Sequence, residues 1–193
     1  IVFILADDLG WGDLGCYGHA QLRTPNLDRL AAQGIRFTQF YSASGVCSPS
    51  RTAFMTGQFP ARHRIHGHLA EPESNTKRGM AQFLDPAVPT LTRVLHDAGY
   101  AVAHFGKWHL GHSPDAPEPS AYGVDAYRTV AGNGPAWPGG PDFRARLSER
   151  IVDESIAFIE ANRERPFLVQ ACLLDTHARL EPSEEQLAAY PKS

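Results

Sequence analysis

The sequence predicts an α/β fold in which a mostly parallel sheet is flanked by helices. Three segments, Ile1–Ala6, Tyr100–Phe105 and Phe167–Leu174, have the continuous apolar pattern of strands buried on both faces of a parallel sheet. Segments with helical signals lie between them. This alternation of strands and helices along the chain is typical of an α/β sheet protein.

The first helix and the segment after it are predicted from short local signals. Thr24 supplies an N-cap, Pro25 takes the first helical position, and Gly34 ends the helix. The next segment, Ile35–Phe40, is predicted to be a short strand because its apolar residues alternate.

A second helix is predicted after a Ser/Gly-rich loop. Ser48 fits its N-cap, Pro49 fits its first helical position, and Gly57 fits its end. Residues 60–89 have mixed polarity and predict little regular structure. Within that segment, alternation places His66 and His68 on one face, which indicates either contact with a sugar ring or a solvated loop.

The second half of the chain is predicted to contain three more helices. Thr90–Ala98 and Phe143–Asn162 both have amphipathic periodicity, and Ser183 begins a capping box for a short last helix. Residues 113–141 are rich in Pro and Gly and predict an ordered loop beside a site.

Composition excludes several classes of protein. The 18 Lys+Arg and 21 Asp+Glu give a formal net charge of −3, and the absence of a Lys/Arg run argues against nucleic acid as a partner. The longest uninterrupted apolar run, Ile1–Ala6, is far shorter than the ~20 residues of a membrane span. Cys16, Cys47 and Cys172 are too few and too scattered for a disulfide framework or a zinc cluster.

Polar side chains follow each of the three predicted core strands. In open α/β sheets, ligands bind beyond the carboxyl ends of the strands, which here lead into Asp7-Asp8, Lys107 with His109, and His177. Adjacent carboxylates repel each other unless a cation or proton intervenes, so they indicate a hard divalent cation; a helix-capping role is the alternative. A lysine and a histidine nearby suit an anionic substrate.

Cys47 lies at a predicted helix N-terminus, where free backbone N–H groups favour negative charge. Arg51, one turn into that helix, points back toward the same place. These residues alone favour a cysteine-dependent hydrolase of anionic esters, an interpretation that leaves the acidic pair unexplained. The alternative role, a small buried apolar residue, is preferred for Cys16 and Cys172.

Several motifs together resemble the type I sulfatases. Cys47–Arg51 followed by Thr56-Gly57 matches the signature C-x-P-S-R-x4-T-G at every fixed position, and Gly106–His109 resembles part of the second signature. The segments Asp7–Gly15 and Thr24–Asp28 are typical of arylsulfatases and N-acetylgalactosamine-6-sulfatase-like members. The resemblance implies an alkaline-phosphatase-like sulfatase fold and hydrolysis of aryl or carbohydrate sulfate esters.

The resemblance also implies a modified nucleophile. In this family a separate maturing enzyme oxidises the signature cysteine to Cα-formylglycine (3-oxoalanine), which is hydrated to a geminal diol. One hydroxyl attacks the sulfur of the ester, and loss of a proton from the other lets the group collapse and expel sulfate. Cys47 is the corresponding residue here.

The other roles are implied by the same resemblance, position by position. The expected ligands of calcium are Asp7, Asp8 and the group formed from Cys47; magnesium fits less well. Arg51 is expected to hold the diol, and Lys107 is expected to bind the sulfate. His109 is expected to assist collapse of the diol, and His177 to contact the sulfate or protonate the leaving oxygen.

The chain departs from the family pattern in two places. Thr176 precedes His177 where a proline is usual, and nothing after His177 matches the family's later calcium and sulfate ligands. We therefore expect residues 1–193 to be the N-terminal part of the catalytic domain, without the rest of that domain or the C-terminal subdomain, and inactive alone. A periplasmic or secreted location is expected from the resemblance.

Three other interpretations stay open at this point. A related phosphonate or phosphate ester hydrolase of the alkaline phosphatase superfamily would share the sheet and part of the site. A truncated, inactive sulfatase-like protein would share the motifs without the turnover. A hydrolase that uses unmodified Cys47 would share the nucleophile position alone.

Overall fold

The computed structural model describes residues 1–140 and 142–190 and confirms the α/β architecture. Its four strands form one sheet in the order β1-β4-β2-β3, and every neighbouring pair is parallel. The strands are β1 (Val2–Ala6), β2 (Ala101–Lys107), β3 (Ala126–Val130) and β4 (Phe167–Leu173). Because all four run the same way, their carboxyl ends meet at one edge of the sheet.

Helices connect the strands. They are α1 (Pro25–Gln33), α2 (Cys47–Thr56), α3 (Pro72–Lys77), α4 (Leu91–Asp97), α5 (Leu147–Asn162) and α6 (Glu184–Ala188). Three short 3-10 turns lie at Gly15–Tyr17, Pro60–His63 and Pro119–Tyr122. None of the helices in the described ranges has the length and apolar character needed to cross a membrane.

The core lies on both faces of the sheet, with β2 at its centre. All seven residues of β2 are buried. On one face, Leu147 and Ile151 of α5 pack with Phe105 and Ala171. On the other face, helices α2 and α4 lie over the sheet, and Leu95 packs with a group that includes Val102. Burial of this kind is the main source of stability for such a sheet.

The predicted burial of the first strand is wrong for the described residues. β1 pairs with β4 along one edge of the described sheet. Val2 and Ile4 of β1 are 53% and 61% exposed, whereas Phe3, Leu5 and Ala6 are only half-buried. The prediction failed because a continuous apolar run does not distinguish an edge strand from a central one.

The segment Ile35–Phe40 is not a strand. It has no regular structure, and Ile35 and Phe40 are 83% and 76% exposed. Apolar alternation predicts a strand only where a partner strand is available, and the described residues offer none here.

Helix α2 begins earlier than predicted. Its first residue is Cys47 and its N-cap is Val46, which has no side chain that could cap the helix. The Ser48 hydroxyl instead accepts a hydrogen bond from the Leu69 backbone N–H at 3.0 Å. This contact ties the start of α2 to the segment after it.

The two segments predicted to be loops contain short regular elements. Residues 60–89 hold α3, and Asn75 within it exchanges two hydrogen bonds with the Ala70 backbone, at 2.7 and 2.9 Å. Residues 113–140 hold β3, whose half-buried, partly polar sequence gave no strong strand signal. The capping box at Ser183 is confirmed, with both of its hydrogen bonds present.

Gly106 allows β2 and β4 to pack where the site begins. Its φ of 111° lies in a region that side chains rarely adopt, and a Cβ at this position would overlap the Cys172 carbonyl oxygen. The glycine that precedes Lys107 is therefore required by backbone geometry.

We predict that Gly106→Ala lowers the free energy of unfolding by about 3 kcal/mol or more, through backbone strain and the clash with Cys172. Urea denaturation of the purified chain measures this. Gly12→Ala is the matched control, because a Cβ there meets no atom within 4 Å. Equal midpoints for the two variants would contradict the prediction.

Candidate active site

A cavity of about 720 Å³ opens at the carboxyl edge of the sheet. Five of the predicted site residues line it together: Asp8, Cys47, Lys107, His109 and His177. They come from the ends of β1, β2 and β4 and from the start of α2. The cavity is large enough for a group the size of a sugar ring, since small-molecule pockets occupy about 300–1,000 Å³.

A second cavity of about 290 Å³ lies on the other side of Cys47. It holds the remaining two predicted residues, Asp7 and Arg51, and shares Asp8 and Cys47 with the first. Cys47 therefore lies between a side that contains the lysine and histidines and a side that contains the acidic pair.

Cys47 occupies the first helical position of α2 and is partly exposed. Val46 has no side chain that could cap the helix, so no N-cap side chain accepts a hydrogen bond from the backbone N–H groups of this first turn. Together with the helix dipole they favour negative charge at this end of α2. The local geometry suits a nucleophile that binds an anionic group.

Three charged side chains are buried beside Cys47. Asp7, Lys107 and Arg51 are 6%, 3% and 1% exposed. The Lys107 ammonium contacts one oxygen of the Asp7 carboxylate, and the Arg51 guanidinium lies 3.4 Å from the other. Arg51 also donates to the Lys107 carbonyl oxygen. Asp7 therefore positions two cations at once, and the three side chains together keep one net positive charge.

His109 is neutral and presents a free lone pair. Burial, with the positive charge of Lys107, lowers its pKa to about 4. Its Nε2 lies 3.0 Å from the Leu69 carbonyl oxygen, which can only accept, so Nε2 carries the proton. The buried Nδ1 then bears the lone pair and has no partner among the described residues.

His177 and Asp8 face each other across the cavity mouth. The His177 Nδ1 donates to the Ala178 carbonyl oxygen at 2.7 Å, and its Nε2 lies 3.8 Å from an Asp8 carboxylate oxygen. The His177 side chain is 35% exposed, so it is open to solvent and to a ligand.

Unusual backbone conformations concentrate at this cavity. Four non-glycine residues of the described chain have positive φ, and three of them line it: Asp8, His109 and Ala131. Such conformations cost of order 1–3 kcal/mol each and persist where surrounding structure holds them. Their clustering supports a functional role for this edge of the sheet.

Comparison with known proteins identifies the family. The sulfatase family model matches residues 1–193. The chain belongs to the sulfatase family. N-acetylgalactosamine-6-sulfatase of Rattus norvegicus is 34% identical over 216 residues, which cover 97% of this chain and 41% of that protein. Arylsulfatase A of Homo sapiens is 46% identical over 115 residues, covering 60% of this chain and 22% of its own length.

Solved structures of sulfatases share this fold. Ps i-CgsB superposes with a TM-score of 0.84 at 25% identity, covering 98% of this chain and 48% of its own. The structure of BT4656 in complex with its substrate D-glucosamine-2-N,6-O-disulfate gives 0.75 at 25% identity, covering 100% and 38%. The chain spans less than half the length of each of these four relatives.

The donors present suit the calcium ion that the resemblance implies in type but not in number. Asp7 and Asp8 supply carboxylate oxygens beside Cys47, and Ser44 lines the same cavity. Calcium takes six to eight oxygen ligands, and Asp7 already pairs with Lys107 and Arg51. The described residues contain no group of three or more acidic, histidine or cysteine side chains placed for a metal.

Sequence reasoning missed a buried histidine of β2 and two residues of the cavity wall. His104 is fully buried, donates from Nδ1 to Gln170 at 3.1 Å and packs edge-on against Trp108. Arg144 and Phe143 line the larger cavity. His68 lines the cavity too, which supports the sugar-facing alternative for that residue. A histidine inside an apolar strand was the available signal for His104; no signal pointed to Arg144.

We predict that Asp7→Asn lowers the free energy of unfolding by about 3 kcal/mol, because it leaves buried Lys107 and Arg51 without a counter-charge. Chemical denaturation measures this. Asp8→Asn is the control: Asp8 is 58% exposed, and asparagine tolerates its φ of 63°, so a change within about 0.5 kcal/mol is expected. Similar losses in both variants would refute a special role for Asp7.

We also predict that the free energy of unfolding decreases as the pH is lowered from about 6.5 to about 4. Burial lowers the pKa of His104 from 6.5 to about 4, so in this window the unfolded chain binds a proton that the folded chain does not. His104 alone contributes a slope of up to about 1.4 kcal/mol per pH unit. His104→Gln should flatten the slope, and exposed His66→Gln should leave it unchanged; identical slopes in all three proteins would refute the assignment.

Proposed function

We propose that this protein hydrolyses sulfate esters of aryl or carbohydrate substrates. The observation that carries the proposal is the meeting, in one cavity, of the signature cysteine at a helix N-terminus with Lys107, His109 and His177. Membership of the sulfatase family supports it.

The nucleophile is proposed to derive from Cys47 after oxidation by a sulfatase-maturing enzyme. Formylglycine, once hydrated, supplies an oxygen nucleophile and its own route for releasing sulfate, which an ordinary serine or cysteine lacks. The position of Cys47 between two cavities supports this role, since the modified side chain would contact both the substrate side and the acidic pair.

Proton transfer is proposed to involve the two histidines. His109 holds its proton on Nε2 against Leu69, so a substrate or nucleophile hydroxyl that reaches its buried, unpaired Nδ1 would meet a proton acceptor. His177 holds its Nδ1 proton against Ala178, and its Nε2, near Asp8, can carry a second proton to a departing oxygen. The two imidazoles thus take opposite roles.

Charge on the sulfate is proposed to be stabilised by Lys107 and the first turn of α2. Lys107 lines the cavity while its contact with Asp7 fixes its position, so no reorganisation is needed when a sulfate binds. Arg51 holds the modified residue from the other cavity, beside Asp7.

Calcium is proposed to be held by Asp7, Asp8 and an oxygen of the modified Cys47, with further ligands from outside the described residues. When bound, the ion offers a positive charge to an anionic substrate oxygen. The prediction that residues 1–193 form the N-terminal part of a larger catalytic domain stays a prediction.

The substrate class is proposed to be a sulfated carbohydrate or aryl sulfate. Relatives named for such substrates include N-acetylgalactosamine-6-sulfatase and arylsulfatase A, and BT4656 was solved with a doubly sulfated glucosamine. A related phosphonate or phosphate ester hydrolase is the second candidate, since Lys107 would stabilise a phosphoryl group as well.

Coexpression with a sulfatase-maturing enzyme tests the proposal. We expect mass spectrometry to find the Cys47 peptide without its sulfur atom. We expect the full-length protein, of which residues 1–193 are the proposed N-terminal part, to release sulfate from 4-nitrophenyl sulfate faster than phosphate from the corresponding monoester. Cys47→Ala should lower turnover by about 10³-fold or more.

The control is Cys16→Ala, because Cys16 lies outside both cavities of the site and its loss should leave turnover unchanged. Retention of sulfur in every Cys47 peptide, with sulfate release intact, would favour the unmodified cysteine. Preference for phosphate or phosphonate esters would favour the second candidate.

A further inference from the structure

Arg144 lies in the wall of the larger cavity, away from the signature motifs. It precedes α5 and is partly buried, with Phe143 beside it in the same wall. Its guanidinium donates one hydrogen bond, from Nη2 to the His177 carbonyl oxygen, at 3.3 Å. A guanidinium has five N–H donors, so this one hydrogen bond leaves the other N–H groups available to a ligand or to water.

The charges around the cavity leave Arg144 without a counter-charge. Lys107 and Arg51 share the Asp7 carboxylate in the buried cluster, and Asp8 lies opposite His177. Within residues 1–140 and 142–190, Arg144 forms no salt bridge. Asp175 and Glu181 line a neighbouring cavity together with Arg144, but neither forms an ion pair with it in the described residues. A cation in a cavity wall that forms no ion pair with the protein is suited to an anion supplied by a ligand.

Arg144 and the nucleophile lie on different parts of the cavity. Cys47 and Lys107 come from α2 and β2, whereas Arg144 is tied to the segment that follows β4. The volume of about 720 Å³ exceeds what one sulfate group needs, so a sulfate at Cys47 leaves room for the rest of a sugar and its other substituents. His68 lines the same cavity as a second polar group.

We propose that Arg144 determines specificity by binding a second anionic group of the substrate, a carboxylate or another sulfate, next to the ester that is cleaved. The preferred substrates are then sulfated saccharides with at least two negative charges. Phe143 offers an apolar surface beside Arg144 for the sugar ring. The inference rests on the proposed sulfatase activity only for the identity of the cleaved group.

Kinetics on matched substrates test the inference. The full-length protein is assayed on three esters that share the same cleaved sulfate: a monosulfated N-acetylhexosamine, the same sugar with a second sulfate, and the monosulfated sugar linked to a uronic acid. We expect Arg144→Gln to raise KM for one or both dianionic substrates by about ten-fold or more, since charge-assisted hydrogen bonds are lost, while kcat/KM for the monoanionic sugar changes less than about three-fold.

The two dianionic substrates distinguish a sulfate from a carboxylate as the group that Arg144 binds.

Arg146→Gln is the control, because Arg146 lies two residues away and pairs with Glu149 on the exposed surface, outside the cavity. Equal losses for all three substrates would overturn the inference, because Arg144 would then act on the cleaved sulfate or only on the His177 segment. Equal KM values of the unmutated protein for all three would overturn it too.

A binding measurement separates this inference from the proposed activity. In the Cys47→Ala background, calorimetry should show tighter binding of a dianionic than of the monoanionic sugar, and Arg144→Gln should remove the difference. If no ester is hydrolysed but this difference is present, the proposed activity fails and the anion site stands. If esters are hydrolysed but the difference is absent, the anion site fails.

Discussion

The buried carboxylate of Asp7 is the constraint on which the rest of the site depends. Lys107 and Arg51 would each be costly to bury alone, and a single acidic group allows both to lie under the cavity. The cluster joins the end of β1, the end of β2 and the first turns of α2. The same contacts that make burial of these charges possible also hold the cationic side of the site rigid.

The parallel sheet explains why residues far apart in the chain meet there. β4 lies between β1 and β2, so the segment with His177 is brought beside Asp8 on one side and Lys107 on the other. Gly106 lets the β2 backbone approach the Cys172 carbonyl just before the site begins. Topology sets which strand ends are neighbours, and local backbone geometry sets how close they come.

Motif reasoning from the sequence found residues that the fold brings together around two cavities, because each lies at a strand end or a helix start with a distinct spacing. It failed where the outcome depends on neighbours. The local sequence does not indicate that β1 lies at an edge of the described sheet or that Ile35–Phe40 lacks a partner strand there. It also does not indicate that Val46 is the N-cap of α2. No feature of the sequence was a reason to select Arg144, because a lone arginine before an amphipathic helix is usually a surface residue.

The two halves of the site differ in how they are fixed, and this difference has a functional consequence. The side with Asp7, Arg51 and Lys107 is buried and held by ion pairs, and it keeps a net positive charge because one carboxylate faces two cations. In the proposed function it holds a nucleophile and a sulfate in one geometry, whatever the remainder of the substrate. The wall with Arg144 is held by a single hydrogen bond to a backbone carbonyl, and its charge is not balanced by the protein. A substitution there costs little stability, whereas one at Asp7 disturbs the core. Selectivity can therefore change at the wall without disturbing the buried charges that support the chemistry.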